Sequence, residues 1–148
     1  MSDTLTVRAC TMQDVPTLAK IENECFPVPW NEGLLAGAFS RVDFLCFIME
    51  EKGEAVGYIC GTSLFEDSDV ARVAVVKSRR GEGHGGTLLN AFIQAAKAKG
   101  ARRVFLEVRV SNATAIRLYE RNGFTRGRIR VKYYANGEDG LEMKKDLY

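Results

Sequence analysis

The sequence has few of the residues on which several common chemistries depend. Its 148 residues include only one histidine, three prolines and four cysteines. Because the one histidine, His84, lies in a glycine-rich stretch, neither a histidine metal site nor a His-based catalytic triad can be assembled. The cysteines have no C-x-x-C or other metal-like spacing, so we expect no metal and four reduced, mostly buried thiols. They are Cys10, Cys25, Cys46 and Cys60.

Long apolar runs are also missing, and this bears on where the protein acts. No uncharged apolar stretch is long enough to cross a bilayer, and Met1-Ser-Asp-Thr4 lacks the basic start of a signal peptide. We therefore expect a cytoplasmic protein with no membrane contact. The net charge of +2 is too small to indicate a nucleic-acid partner by itself. With 46% hydrophobic and 27% charged residues, the chain fits one globular domain over residues 1–148.

What the chain does have is a glycine-rich stretch after a β-branched run. Residues 73–76 are Val-Ala-Val-Val, and after a basic patch comes Gly81-Glu-Gly-His-Gly-Gly86. Apolar residues at helical spacing follow, and Gly100 stands where that helix would end. Since glycine lacks a Cβ, successive backbone N–H groups can converge beside the positive end of the helix. The stretch predicts a site for a phosphate or pyrophosphate.

Two other phosphate-binding loops fit this stretch less well. A P-loop requires a lysine after its second glycine, and here Thr87 follows Gly86. The dinucleotide pattern G-x-G-x-x-G is matched by Gly81, Gly83 and Gly86, with Glu107 about 20 residues further on. However, a basic patch separates these glycines from the strand, Glu107 lies in mid-strand, and the remaining chain is too short for the rest of that sheet.

Periodicity predicts the remaining elements. Helices are expected after caps at Thr11 or Asp14, at Asn31 and at Ser111-Asn112. The first helix should turn Val15, Leu18, Ala19, Ile21 and Cys25 inward. Strands are expected at 5–9, 44–50, 55–65, 70–76, 103–110, 124–134 and 141–147, with a polar turn at 66–69. The strand 124–134 would place Arg126, Arg128, Arg130 and Lys132 on one face, as a charged sheet edge or, alternatively, a ribosome-facing or nucleic-acid-facing surface.

Phe26-Pro-Val-Pro-Trp30 has two prolines, which forbid helix and hold the segment extended. Its aromatic side chains either form one wall of a binding groove or fill the core between two helices. The residues alone leave both interpretations open.

Glu107 is an acid within an apolar strand. Val104, Leu106 and Val108 alternate with it and occupy the opposite face. Burial should raise the pKa of Glu107 toward the range that a general base for an amine requires. The alternative is a structural ion pair with Arg109 or Arg72.

Several motifs together resemble a known enzyme family. Arg80-x-x-Gly83-x-Gly85-Gly86 resembles Q/R-x-x-G-x-G/A, the acetyl-CoA pyrophosphate loop of the GNAT superfamily of N-acetyltransferases. Further similarity is to its RimI type, the ribosomal-protein-alanine N-terminal acetyltransferases. It is carried by Leu106-Glu-Val-Arg109, Ser111-Asn-Ala-Thr-Ala-Ile116, Leu118-Tyr-Glu120, Asn122-Gly-Phe124 and Lys132-Tyr-Tyr134.

The resemblance implies an α/β (α+β) fold, with a mixed, mostly antiparallel twisted sheet of about seven strands and about four helices. It implies that acetyl-CoA is held by the splayed strand at Val73, Ala74 and Val75, by Asn112, and by the loop residues Arg80, Gly81, Glu82, Gly83, His84, Gly85 and Gly86. A backbone N–H of that strand would stabilise the reaction's oxyanion by about 3 kcal/mol. Glu107 becomes the expected base, and Tyr119 the acid that protonates the departing thiolate. Acceptor contacts are expected from Phe26, Pro27, Val28, Tyr133 and Tyr134.

The function implied is direct acetyl transfer to a protein N-terminal amine, with the N-terminal alanine of a small ribosomal-subunit protein as the expected acceptor. Acceptance of a small amine or antibiotic is a rival, for which only Glu66, Asp67 and Asp69 form a suitable acidic cluster. A non-catalytic CoA-binding module is the other rival. A cysteine acetyl carrier is not favoured, because none lies near the motif in the sequence. Partners expected are acetyl-CoA and a protein N-terminus, with a monomer or weak dimer and no nucleic acid.

Overall fold

The computed structural model describes residues 4–148 and contains one seven-stranded sheet with four α-helices. The strands are β1 Leu5–Ala9, β2 Phe44–Glu51, β3 Glu54–Leu64, β4 Asp67–Val75, β5 Arg103–Arg109, β6 Thr125–Arg130 and β7 Gly140–Asp146. The helices are α1 Val15–Cys25, α2 Glu32–Phe39, α3 His84–Ala98 and α4 Ala113–Arg121. The strand order is β1-β2-β3-β4-β5-β7-β6, with only the β4–β5 pair parallel. The predicted mixed, mostly antiparallel sheet is confirmed.

The centre of the sheet is open over part of its length. β4 pairs with β5 only from Asp67 to Val70, opposite Arg103 to Leu106, although both strands continue further. At this point β4 also shifts register against β3, since Cys60 pairs with Arg72 while Gly61 pairs with Val70. The extra residue forms a β-bulge, which bends a strand and strengthens its twist. We attribute the separation of β4 from β5 to this bend.

The helices cover the sheet on two sides, over two separate apolar clusters. One cluster joins α3 and Ile116 of α4 to residues of β3, β5 and β7. Its helical members are the predicted Leu88, Leu89, Phe92, Ile93 and Ala96, all buried. The other cluster packs α1 and α2 against β2 and β3. The gap between β4 and β5 is therefore flanked by helices of both layers.

The predicted helix starts are confirmed by their capping bonds. Thr11 accepts from the Gln13 N–H at 3.3 Å, and its own N–H donates to Asp14 at 2.7 Å, in a reciprocal cap on the short 3-10 turn Met12–Asp14 that leads into α1. Asn31 caps α2 by accepting from Leu34 at 2.8 Å, and Asn112 caps α4 in the same way. Within residues 4–148 no helix is long and apolar enough to cross a membrane.

Two of the predicted segments were wrong. The strand expected at 124–134 ends at Arg130, its pairing with β7 is irregular between Arg126 and Ile129, and Lys132 adopts a φ of 52°. The four basic residues therefore do not share one regular strand face. The polar turn expected at 66–69 is also misplaced, because the chain turns at Phe65, with a φ of 56°, and β4 already begins at Asp67.

Candidate active site

A cavity of about 750 Å³ lies where β4 separates from β5, between the glycine loop and the start of α4. Most of the predicted acetyl-CoA residues line it, and these are Val73, Ala74, Val75, Arg80, Gly81, Gly83, His84, Gly85 and Asn112. Tyr119 and Phe26 line it as well. Five predicted residues are not part of its wall: Glu107, Pro27, Val28, Tyr133 and Tyr134. Glu82 and Gly86 are not part of the wall.

The glycine loop has the backbone geometry of an anion site. Gly81 and Gly83 have φ values of 80° and 83°, a region that residues with a Cβ rarely adopt, and Gly83 is the N-cap of α3. The first N–H groups of a helix have no partner within it and lie at its positive end. Because α3 points this end at the cavity, the loop fits a diphosphate.

Ion pairs between side chains stabilise the glycine loop. Glu82 contacts the His84 ring at 2.8 Å and Arg79 at 3.2 Å, and Arg79 also pairs with Glu51 at 2.7 Å. The bond to His84 and the contact with Arg79 keep the pKa of Glu82 below its usual range. The His84 ring is thus turned to Glu82.

The free edge of β4 faces the cavity. Val76 N–H donates to Val56 of β3 at 2.9 Å, so by strand alternation the backbone groups of Val73 and Val75 point to the opposite edge. The Val75 carbonyl accepts from Arg80 Nε at 2.8 Å and from Cys25 Sγ at 3.6 Å. Cys25 is thus a cavity residue that sequence reasoning missed, because the thiol is distant from the motif in the chain. Burial raises the pKa of its thiol, so it is a poor nucleophile.

Tyr119 projects from α4 into this cavity. Its ring packs on Phe124 with centroids 6.0 Å apart, and its hydroxyl makes no hydrogen bond to another residue of the described segment. Burial raises the pKa of Tyr119 to about 12, with a smaller contribution from Tyr134. The phenol therefore stays protonated at neutral pH and can donate a proton.

Glu107 is the first residue of β5 beyond its last pair with β4, so it stands where the two strands part. Its expected ion-pair partners were wrong. Glu107 contacts Arg130 of β6 at 2.8 Å, whereas Arg109 pairs with Glu138 and Arg72 with Glu22. Burial raises the pKa of Glu107, and the positive charge of Arg130 opposes that rise.

The predicted acceptor residues Tyr133 and Tyr134 lie in the turn after β6, not in a strand. Their rings meet edge to face at 5.1 Å, and Arg109 stacks on Tyr134 at 4.1 Å. Burial raises the pKa of Tyr134, and Glu107 adds to that rise.

The predicted basic stripe is largely neutralised by acids of the same molecule. Arg126 pairs with Glu120 at 3.0 Å, and Arg128 lies 3.9 Å from Glu142. Arg130 contacts two carboxylates, those of Glu107 and Glu142. Such pairing gives no support to a nucleic-acid surface. Nor does the acidic cluster at 66–69 serve the cavity, because Asp67 pairs with Arg103 at 2.9 Å outside it.

The loop with Phe26, Pro27 and Val28 is attached to β4 through Arg72. The guanidinium lies 4.2 Å from the Phe26 ring centroid and 4.4 Å from that of Trp30, and it donates to the Val28 carbonyl at 3.1 Å. Core packing, one of the two interpretations of this loop, is observed, and the acceptor-binding role stays a prediction. Phe26 packs on the core and also lines the cavity.

Glu22 anchors this arrangement and was missed by the sequence analysis. Its side chain is 0% exposed and pairs with Arg72 at 3.1 Å. It also accepts the Trp30 N–H at 2.8 Å and the Tyr58 hydroxyl. The available signal was an acid on the inward face of α1, at a position between Leu18 and Cys25 that helical periodicity assigns to the core.

All four cysteines are free thiols, with Cys46 and Cys60 buried. Within residues 4–148 no group of three or more His, Cys, Asp or Glu side chains is placed to hold a metal ion.

Comparison with known proteins gives consistent matches over most of the chain. The sequence model of the Acetyltransferase (GNAT) family matches residues 15–124. A Bacillus subtilis (strain 168) protein named putative ribosomal protein bS18-alanine N-acetyltransferase is 35% identical over 140 residues, covering 93% of this chain and 92% of that protein. A protein of Sulfurisphaera tokodaii named N-alpha-acetyltransferase is 32% identical, covering 95% and 92%.

A solved structure is similar over the same extent. The crystal structure of the ribosomal-protein-S18-alanine N-acetyltransferase from Escherichia coli superposes with a TM-score of 0.90 at 28% sequence identity. The match covers 97% of this chain and 94% of the other.

Proposed function

The chain belongs to the GNAT family of acetyltransferases, and we propose that it transfers acetyl from acetyl-CoA to the α-amine of a protein N-terminus. The observation that carries this proposal is the meeting of the glycine loop, the free edge of β4 and Tyr119 in one cavity, with Glu107 at the point where β4 and β5 part. The acceptor proposed first is the N-terminal alanine of a small ribosomal-subunit protein. Relatives in Bacillus subtilis and Escherichia coli carry names that specify ribosomal protein bS18-alanine N-acetyltransferase.

Acetyl-CoA supplies an acetyl thioester when it is bound. The backbone N–H groups at the start of α3 would hold its diphosphate, and the outward backbone groups of Val73 and Val75 would hold the arm that carries the thioester. The Val75 carbonyl already accepts from Arg80 and Cys25, so the Val75 N–H and the groups of Val73 are the freer ones.

Glu107 serves as the base in this scheme. A protein α-ammonium has a pKa of about 8, against about 10.4 for a lysine side chain, so a carboxylate removes its proton at lower cost. Burial raises the pKa of Glu107, which makes its carboxylate a stronger base than an exposed glutamate. Glu107 does not line the cavity, so a water molecule would relay the proton to its carboxylate.

Tyr119 serves as the acid. The amine nitrogen, which has given one proton to the Glu107 carboxylate, forms a bond to the thioester carbonyl carbon, and the carbon–sulfur bond breaks with its electron pair on sulfur. The Tyr119 phenol gives its proton to that sulfur, since it lies in the cavity and stays protonated at neutral pH. The nitrogen loses its second proton to solvent as the amide forms, and the Tyr119 phenolate left by the proton transfer to sulfur takes a proton back from solvent. No covalent enzyme intermediate forms.

Peptide acetylation followed by mass spectrometry tests the proposed acceptor. Two peptides of one sequence are incubated with acetyl-CoA, one beginning with free alanine and the other with a blocked N-terminus, and both contain one lysine. We expect a gain of one acetyl group, located by fragmentation on the α-amine, and no change in the blocked peptide. Acetylation confined to lysine would refute an N-terminal acceptor.

Two substitutions test the assigned roles. Glu107→Gln and Tyr119→Phe should each lower turnover by about 10²- to 10⁴-fold, while calorimetry shows acetyl-CoA still bound. Glu120→Gln and Tyr148→Phe are matched controls, because Glu120 pairs with Arg126 on the surface and Tyr148 is 77% exposed. Full turnover in the Glu107→Gln and Tyr119→Phe variants would contradict the mechanism. Tight acetyl-CoA binding with no turnover on any amine would indicate a non-catalytic module instead.

A further inference from the structure

Arg130 is bound between two carboxylates beside the proposed base. Its Nε lies 2.8 Å from Glu107 Oε1, and its Nη2 donates to Glu142 Oε2 at 3.4 Å. The sheet forces this meeting, because Glu107 of β5 is the direct register partner of Glu142 of β7. β6, which carries Arg130, is the next strand along.

The two oxygens of Glu107 differ in their surroundings. Oε1 is held by the Arg130 guanidinium in an ion pair, although the buried Arg130 Nε lacks hydrogen-bond geometry to any acceptor within residues 4–148. Oε2 is buried and has no hydrogen-bond partner within the same residues. A buried carboxylate oxygen left without a donor is costly unless something supplies one during function. The water molecule proposed above to relay the acceptor's proton is such a donor.

We propose that Arg130 is a positioning residue for Glu107, holding Oε1 so that Oε2 remains the oxygen that takes the acceptor's proton. This inference rests on the role proposed for Glu107. Arg130 acts through Glu107 and takes no proton itself, since a guanidinium stays charged throughout the working pH range.

Charge explains why a cation is needed at this point. Glu107 faces the carboxylate of Glu142 across the β5–β7 pair, and two adjacent carboxylates disfavour each other's ionisation. Arg130 and, at longer range, Arg128 oppose this effect and the effect of burial, both of which raise the pKa of Glu107. Tyr134 is the remaining titratable neighbour, and it is neutral at neutral pH. Without Arg130, Glu107 would be protonated over more of the working pH range and unavailable as a base.

The side chain is suited to the task by its shape. A guanidinium can contact two carboxylates at once, and that of Arg130 also lies 5.6 Å from the centroid of the Tyr133 ring. A lysine would keep the charge but could not span the same two contacts. Arg130→Lys should therefore preserve the pKa of Glu107 better than it preserves turnover.

The test measures the protonation of Glu107 directly and compares it with activity. The side-chain carboxyl carbons of ¹³C-labelled protein are followed by NMR against pH, with Glu107→Gln identifying the Glu107 signal. Kinetics of acetyl transfer to the alanine peptide are recorded over the same range. Arg130→Gln and Arg130→Lys are compared with Arg126→Gln, a matched control on the same strand whose partner is the exposed Glu120.

In Arg130→Gln, we expect the Glu107 titration and the acidic limb of the kcat/KM profile to move together to higher pH. The sign follows because the positive charge favours the carboxylate, so its loss raises the pKa. The shift expected is about one pH unit, the lower end of the effect of an opposite charge in contact, because Arg130 is partly exposed. Arg130→Lys should shift the titration by less than half as much, and Arg126→Gln should shift nothing.

The outcomes separate this inference from the proposed function. If Glu107→Gln abolishes turnover but Arg130→Gln leaves both the titration and the limb unmoved, Glu107 is the base and Arg130 does not position it. If Arg130→Gln moves the titration while the acidic limb stays in place, Glu107 is not the base, and both conclusions fail. If Arg130→Gln does not fold, Arg130→Lys still tests the proposal. A Glu107 titration and a turnover that both match the wild type in Arg130→Lys would contradict the positioning role.

Discussion

Replacing Arg72 with methionine removes the charge that joins the loop at 26–30 to β4. Methionine keeps much of the apolar stem, so the change chiefly deletes the guanidinium. Glu22, which is 0% exposed, would then be left with two neutral donors, the Trp30 N–H and the Tyr58 hydroxyl. The loop would also lose the donor to the Val28 carbonyl. The loss therefore falls on stability and on loop position together.

The size of the effect follows from these contacts. Removing one partner of a buried ion pair costs about 3–5 kcal/mol, because the other charge stays buried. Loss of guanidinium stacking on Phe26 and Trp30, at 4.2 and 4.4 Å, adds about 1 kcal/mol. Since a domain has about 5–15 kcal/mol in total, the free energy of unfolding of Arg72→Met should fall by a large fraction.

Urea unfolding measures this loss with two probes. Trp30 is the only tryptophan, so its fluorescence reports on the loop, while far-ultraviolet circular dichroism reports on the sheet and helices. We expect both transitions to move to lower urea. Glu22→Gln combined with Arg72→Met should be more stable than Arg72→Met alone, since no unpaired charge is left. A loss under about 1 kcal/mol, or a double variant less stable than the single one, would show that the pair does not anchor the loop.

Three further predictions concern other parts of the molecule. Gly61→Ala should destabilise the fold by about 3 kcal/mol in urea unfolding, because its Cβ would lie 1.9 Å from the Asp69 carbonyl oxygen. The control Gly37→Ala should be neutral or stabilising, because a Cβ at that position meets nothing within 4 Å. Gly83→Ala should weaken acetyl-CoA binding in calorimetry by about tenfold, since alanine costs about 1–2 kcal/mol at a φ of 83°, and unchanged affinity would argue against the loop as the diphosphate site. Asp14→Asn should lower the free energy of unfolding at neutral pH and make that free energy fall less steeply in acid. The hydrogen bond from Arg8 lowers the pKa of Asp14, so the stabilisation by Asp14 is present above the ordinary aspartate pKa of about 3.9 and is lost as the pH drops below it. An acid-unfolding curve with the wild-type slope would contradict this.

Local signals were enough for the helices and most strands. Asn31 and Asn112 were identifiable as caps because the capping bond reaches only three residues along the chain. The alternation of Val104, Leu106 and Val108 set the faces of β5 correctly, because all three are buried. The glycine loop could be read as an anion site because glycine spacing and the following helix are both local features.

The predictions that were wrong or missing concerned contacts between residues that are distant in the sequence. The partner of Glu107 could not be chosen from sequence, since Arg130 reaches it only through the pairing of β5, β7 and β6. The strand at 124–134 looked continuous because alternating charges conceal the irregular pairing after Arg126 and the turn at Lys132. Glu22 went unnoticed as an anchor because its partners lie on β3, on β4 and in the loop after α1.

The short contact between β4 and β5 has a mechanical consequence for the sheet. Within residues 4–148, β4 pairs with β5 at four positions, from Asp67–Arg103 to Val70–Leu106, and this short seam joins a four-stranded half of the sheet to a three-stranded half. At its end the Glu66 carbonyl also accepts from the N–H groups of Arg102 and Arg103. Beyond Val70, β4 therefore has an unpaired edge, although it lies in the middle of the sheet. Amide hydrogens of Val73 and Val75 should exchange with solvent deuterium faster than those of Ala74 and Val76, and a ligand lying along β4 should slow them by closing the sheet.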